Sequence, residues 1–324
     1  MRKQHLFYAS ALAIGLALGA CNNENEPQVV DLGRPIDLNI GLQASTKVAI
    51  ENPTGFDTGD AVGVYLATSD DNAQAAVNSG EAVNNVQFSL TADGWSGEIY
   101  WQNTSQYHTL YAYYPYDASL NGTQTQKAVS VVADQHADGG LGYKAADYLW
   151  GVNAPVKATE SSQLMELKHK MARVKVTLKP GNDMTADKVD AIAASLQVLG
   201  TDIPTAGTFD VAKGIITANQ TQDAPLASLS PYYTGADGNY TYYAIMLPGT
   251  QFTKGADFVK VTATDGTTYA YKLDTQADLV LEEGKEYVFD LLVNKASLGL
   301  GGFYIYMWQS DGGWVGGNID MVVP

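Results

Sequence analysis

The residues of this 324-residue chain best suited to nucleophilic or metal chemistry are its one cysteine, Cys21, and the three of its four histidines that lie beyond the N-terminal apolar segment, His108, His136 and His169. One cysteine excludes an internal disulfide framework and any Cys-rich metal site. The histidines stand far apart and read as isolated polar or half-buried side chains. A serine nucleophile needs a base within hydrogen-bond reach, and Gly94-Trp95-Ser96-Gly97 only approximates the G-x-S-x-G elbow, in what reads as a turn. No H-E-x-x-H, phosphate loop or dinucleotide fingerprint occurs. Asp70-Asp71-Asn72 and the stretch Asp134 to Asp138 carry oxygens for a cation but lack the alternating ligand spacing and closing Glu of a calcium loop, so they read as solvated acidic loops. Among 35 acidic residues no pair is marked out for glycoside hydrolysis. An exported hydrolase is the weakest reading, no enzyme activity is expected, and no metal or other cofactor is implied.

Aromatic side chains offer a different chemistry, because an exposed indole is a platform for sugar rings. Trp95, Trp101, Trp150, Trp308 and Trp314 mostly adjoin strand or turn patterns and read first as core or edge packing. The run Tyr107 to Tyr116 alternates as a strand ending at Pro115, with Tyr107, Tyr111 and Tyr113 on one face where they would bury together.

The elements that hold these residues begin with an export segment. Arg2 and Lys3 precede an apolar run, Leu6 to Ala20, that falls short of the ~20 residues a membrane-spanning helix needs. Its end, Leu18-Gly19-Ala20-Cys21, resembles the lipobox of bacterial lipoproteins, in which the cysteine sulfur takes a diacylglyceryl group and becomes the mature N-terminus. Two or three acyl chains, each buried methylene contributing ~0.8 kcal/mol, anchor stably where one would not. Residues 1–20 therefore read as a lipoprotein signal peptide and 21–34 as a polar tether, with the protein exported and at first tethered to a membrane.

Beyond the tether, apolar residues recur at period two between turn dipeptides such as Asp93-Gly94, Asn121-Gly122 and Asp265-Gly266. The fold class is all-β. Strands are expected at Ala61 to Ala67, Val86 to Leu90, Glu98 to Trp101, Tyr107 to Tyr114, Ser130 to Ala133, Tyr148 to Val152, Leu164 to Leu167, Ala172 to Leu178, Ser195 to Leu199, Tyr240 to Leu247 and Tyr287 to Val293. Short helices could form at Asn72 to Val77 and Ala186 to Ala194. One hairpin can be read in register: a three-residue loop, Thr264-Asp265-Gly266, pairs Val261 with Tyr269 and Val259 with Tyr271, keeps one face apolar and puts Gly266 where a bulge needs positive φ. A two-residue loop would instead pair Val261 with Ala270 and Val259 with Lys272. Chain length predicts about two domains. The seam falls near His169 to Met171, giving 35–170 and 171–324 as two β-sandwiches joined without a flexible linker and so held rigidly. The formal charge of −16 repels phosphate backbones, which excludes nucleic acid as a partner.

Five segments in order resemble the fimbrillin family of Bacteroidetes: Phe56 to Tyr65 (F-x-x-G-D-x-x-G-V-Y), Tyr111 to Tyr116, Asp147 to Gly151, Leu167 to Val174, and Gly284 to Leu291. The resemblance implies two tandem transthyretin-like β-sandwich domains and a structural pilus (fimbria) subunit mediating adhesion, with other pilus subunits as partners, a host or bacterial surface ligand, and no cofactor. It further implies a lipidated precursor from which a trypsin-like protease frees the first strand, so that a strand of another subunit fills the vacancy. Candidate cuts follow Arg34 and Lys47. Pro35 disfavours the first, and Lys47 departs from the arginine fimbrillins carry near that place, which argues against an Arg-specific protease. Leu38, Ile40 and Leu42 alternate as a leaving strand should. Ile319, Met321 and Val323, behind the hinge Gly312 to Gly317, form the candidate donor; alternatively that strand completes its own sheet. The rival reading, from the binding class, is an outer-membrane-tethered lipoprotein that stacks glycans on exposed tryptophans.

Overall fold

The computed structural model describes residues 30–43, 56–77, 83–120, 124–182, 184–187, 189, 195–219, 226–234 and 240–308. Up to His169 these form β1 (Leu38–Leu42), β2 (Ala61–Ser69), β3 (Val83–Thr91), β4 (Gly94–Ser96), β5 (Tyr107–Tyr114), β6 (Gln126–Ser130), α1 (Ala137–Ala145), β7 (Leu149–Val152), β8 (Val156–Lys157) and β9 (Gln163–His169). Eight of these strands make one sheet in the order β1-β9-β7-β5-β2-β3-β4, with β8 beside β5. The sheet rolls until its two ends meet: the Trp95 indole of β4 donates to the Ile40 carbonyl of β1 at 2.8 Å. Rolling creates an inside, lined by Ile40, Val64, Leu66, Leu110, Met165 and Leu167.

The remaining elements are β10 (Ala172–Pro180), β11 (Ser195–Ile203), β12 (Ala206–Asp210), β13 (Ile215–Ala218), β14 (Leu226–Leu229), β15 (Tyr232–Thr234), β16 (Tyr240–Met246), β17 (Gln251–Phe252), β18 (Asp257–Thr262), β19 (Thr268–Lys272), β20 (Leu279–Val280), β21 (Lys285–Asn294) and β22 (Ser297–Met307). A five-stranded sheet, β15-β16-β10-β21-β22, and a four-stranded one, β14-β11-β18-β19, enclose a second core around Val174, Val198, Val259 and Phe289. That core also takes Tyr65, Tyr111 and Tyr113 from the outer face of β2 and β5. Both faces of those two strands are thus covered, which is why their sequences run almost continuously apolar.

Position 170 is crossed tightly. β9 ends at His169 and β10 starts at Ala172, with Lys170 and Met171 buried between them. His169 stacks on Trp308 at 3.9 Å between ring centroids and bonds through Nδ1 to Asp147 at 2.8 Å, while Arg173 lies over Trp308 and bonds to Glu286. A three-stranded sheet, β13-β12-β6, pairs Thr208 with Ala128 across the same point, and the Trp150 indole donates to the Val211 carbonyl at 2.8 Å.

Most strand expectations match, and the misses have local causes. Glu98 to Trp101 is not a strand: Ile99 and Trp101 are buried alternately, which imitates one, but the segment crosses the end of the rolled sheet, accepting from the Ile36 N–H at the Ile99 carbonyl and donating from Trp101 to the Thr159 carbonyl. Ser130 to Ala133 is displaced, because the ladder with β12 ends at Ser130 and the chain turns to other partners, Val131 donating to Thr205. Asn72 to Val77 is not helical: Ala75 and Val77 insert into the core, and Ala75 bonds to the side chains of Thr109 and Tyr111 in place of helical neighbours. In the second candidate helix Ala186, Asp187 and Val189 are helical, and residues 188 and 190–194 lie outside the described residues. Tyr107 does not bury with Tyr111 and Tyr113; it opens β5 half-exposed beneath Lys157.

The β18–β19 hairpin has the three-residue register, Val261 opposite Tyr269 and Val259 opposite Tyr271, with Gly266 at φ +84°. A Cβ there would meet nothing within 4 Å, so only backbone strain opposes a side chain. Gly266→Ala is expected to destabilise the chain by about 1 kcal/mol, read as a fall of roughly 3 °C in thermal midpoint. An unchanged midpoint would contradict this turn.

Candidate strand-exchange groove

β1 lies at the end of the sheet order and, among the described residues, pairs with β9 alone, in parallel, from Leu38 opposite Gln163 to Leu42 opposite Leu167. Alternation sorts its side chains: Leu38 and Ile40 are buried, Ile40 completely, Asn39 is exposed and Leu42 half-buried. The same alternation sorts its backbone. Gln163 donates to the Asp37 carbonyl and Gln43 donates to the Leu167 carbonyl, both at 2.8 Å. In a parallel ladder alternate residues bond to one neighbour, so the odd-numbered groups of β1 face β9 and those of Leu38, Ile40 and Leu42 face outward. On that outward side stands Trp95, half-buried, with its N–H on the Ile40 carbonyl.

Phe56, buried at the point where the described chain resumes, meets Trp95 edge-on at 5.2 Å and Tyr114 at 5.5 Å. Tyr114 donates its hydroxyl to Asp60 at 3.2 Å; burial, with Asp60 adding to it, pushes that phenol well above its ordinary range, so it stays a donor at any physiological pH. Lys144 holds both Asp57 and Asp60. Further off, Asp117 accepts from Ser119 and Lys127, which hold its carboxyl down at about 2.

Before β1, Arg34 is exposed and pairs with Glu160 at 3.1 Å, and Glu160 also accepts from the Asp31 N–H. The lipidation candidate Cys21, the cut candidate Lys47 and the donor residues Ile319, Met321 and Val323 lie outside the described residues, as does Trp314.

The polar clusters weighed for chemistry stay apart. His108 is fully buried against Trp101, and burial lowers its pKa below the ordinary imidazole value. His136 accepts from the Tyr233 N–H. Asp70 accepts from Gln106, and Asp134 from the backbone N–H groups of His136 and Ala137. Among the described residues no group of three or more His, Cys, Asp or Glu is placed to hold a metal. Gly94-Trp95-Ser96 is not a turn but β4, since the turn at Asp93 delivers Gly94 opposite Thr91. The four described tryptophans pack, three of them with the indole N–H bonded to a main-chain carbonyl.

A family model described as fimbrillin-like matches residues 46–308. The chain belongs to the fimbrillin-like family. Its fold is shared with a candidate cell adhesion protein of Bacteroides ovatus (TM-score 0.60, 21% identity, covering 85% of this chain and 98% of that one). A candidate cell adhesion protein of Bacteroides uniformis (0.57, 16%, 79% and 94%) and a fimbrial protein of Bacteroides vulgatus (0.50, 11%, 85% and 100%) are similar in the same sense. No curated protein matches the sequence significantly. The motif glycines of this fimbrillin-like chain have physical reasons, and the clearest is Gly151, where a Cβ would lie 2.3 Å from the Glu166 carbonyl oxygen.

Proposed function

We propose that this protein is a structural pilus subunit, stalk or tip, exported as an outer-membrane lipoprotein anchored at Cys21 and assembled by strand exchange into a surface fimbrium that mediates adhesion. In this reading residues 1–20 are the signal, 21–34 the tether, and 35–170 and 171–324 the two domains. A protease cuts after Lys47, which of the two candidate bonds is the one that frees β1, since Arg34 precedes that strand; β1 departs, and the tail carrying Ile319, Met321 and Val323 enters the vacancy in another subunit. The observation that carries this is the seat of β1. Among the described residues it is bonded to one backbone neighbour, yet Leu38 and Ile40 are buried in the core, so its loss opens a row of unpaired main-chain groups and two apolar pockets. Burying both side chains contributes about 4 kcal/mol, a gain that a replacing strand with aliphatic residues at the same spacing recovers. Fimbrillin-like membership supports the same role.

Limited cleavage of the purified full chain by a trypsin-like protease is expected to release a fragment ending at Lys47, which carries β1, and then to yield a ladder of polymers on gels run without boiling; a cut after Arg34 alone is expected to yield none. Resistance, or general degradation without a ladder, would count against the proposal.

A further inference from the structure

We infer that Trp95 is a latch that reads the backbone of whatever strand occupies the groove. The inference deepens the strand-exchange reading and rests on it for the incoming strand, though not for β1. Three features of the seat carry it. The Ile40 carbonyl is on the side of β1 turned away from β9, where among the described residues no strand pairs with it. The indole N–H takes that carbonyl at 2.8 Å, at the centre of the strand and above its most buried side chain. The ring is aimed by its surroundings: Phe56 packs against it, Tyr114 backs Phe56, and β4 brings it in through the Leu90–Trp95 pairing with β3.

A donor that bonds to a main-chain carbonyl is indifferent to the side chains on the strand it holds. Trp95 therefore treats β1 and its replacement alike, giving grip without sequence preference, while the pockets of Leu38 and Ile40 supply the preference for aliphatic residues. The partner that fits is an extended segment with alternating aliphatic side chains whose central carbonyl turns away from β9. Because Phe56 follows directly on the segment 44–55 that contains Lys47, the latch is also braced by the chain just past the candidate cut.

The test uses the full chain with a site-specific protease sequence placed within residues 44–55, so that cleavage does not depend on the native protease. Trp95→Phe keeps an aromatic ring against Phe56 and removes the N–H donor together with one ring of the indole. After cleavage this variant is expected to release β1 about tenfold faster than wild type, the fold-change matching loss of one hydrogen bond to a carbonyl with little solvent access. In the wild-type chain labelled with 15N-tryptophan, the Trp95 indole proton is expected to be slow to exchange before cleavage, fast once β1 has left, and slow again on adding a synthetic peptide spanning Gly316 to Pro324. Equal release rates for the two chains, or an indole proton that exchanges fast with β1 in place, would overturn the latch. If wild type releases β1 but neither polymerises nor binds the peptide, the pilus reading falls instead, and the latch is judged on the release rates.

Discussion

Removing Ile319 through Pro324 is expected to reduce fibres on living cells to background without unfolding the subunit. The seat of β1 requires aliphatic side chains at alternate positions, since Leu38 and Ile40 point inward and Asn39 between them points out. The tail offers that spacing in Ile319, Met321 and Val323, with Asp320 between the first two. Three such side chains contribute roughly 6 kcal/mol when buried, about four orders of magnitude in the equilibrium between filled and empty grooves. Loss on that scale leaves no stable junction at cellular concentrations. Among the described residues the last strand, β22, ends at Met307, and Trp308 packs on His169 and Arg173 and bonds to Gly284. Electron microscopy of cells carrying the truncated gene, together with circular dichroism of the purified product, checks both halves. Normal fibres from the truncated chain would exclude the tail as donor.

The second large effect is thermodynamic. Gly151→Ala is expected to destabilise the subunit by about 3 kcal/mol and to lower its thermal midpoint by about 10 °C. Gly151 sits in β7 between β5 and β9, and a Cβ there would lie 2.3 Å from the oxygen and 3.0 Å from the carbon of the Glu166 carbonyl. Both atoms are backbone, so relief requires β9 to move away from β7. β9 is also the backbone partner of β1, and the same substitution is therefore expected to speed proteolysis between residues 34 and 47. Gly41→Ala is the control, since a Cβ at that position meets nothing within 4 Å. Differential scanning calorimetry of the two variants side by side decides the matter; a Gly151→Ala midpoint within a degree or two of the control would remove the close approach as the reason for this glycine.

What the sequence made legible was what neighbouring residues decide among themselves. Val259, Val261, Gly266, Tyr269 and Tyr271 fix their own hairpin, because one register keeps an apolar face and satisfies the positive φ together. β1 was legible for the same reason, three aliphatic residues at period two. What escaped depends on partners far along the chain. β22, the longest strand, has glycines at 299, 301 and 302 that depress its local β preference, and it exists because ten positions of β21 stand opposite it. Glu98 to Trp101 carried the alternation of a strand but alternates across the end of the rolled sheet. Trp95 was visible only as a packing or sugar-stacking indole; its bond to Ile40 joins residues 55 apart and arises when the two ends of the sheet order meet. No local pattern encodes that closure.

The position of β10 carries a consequence for how such a chain comes into being. It occupies the middle of the five-stranded sheet and runs parallel to β21, with Arg173 opposite Glu286, 113 residues later. Closing a loop of that size precedes any gain from the ladder it permits, which places refolding in the slow, millisecond-to-second class. During synthesis the same strand waits half-paired beside β16 until Glu286 and its successors emerge. A nascent chain interrupted before Lys285 would carry Val174, Val176 and Leu178 with one flank uncovered, a surface that holdase chaperones bind and that favours aggregation. Completion of this half therefore waits on the arrival of β21.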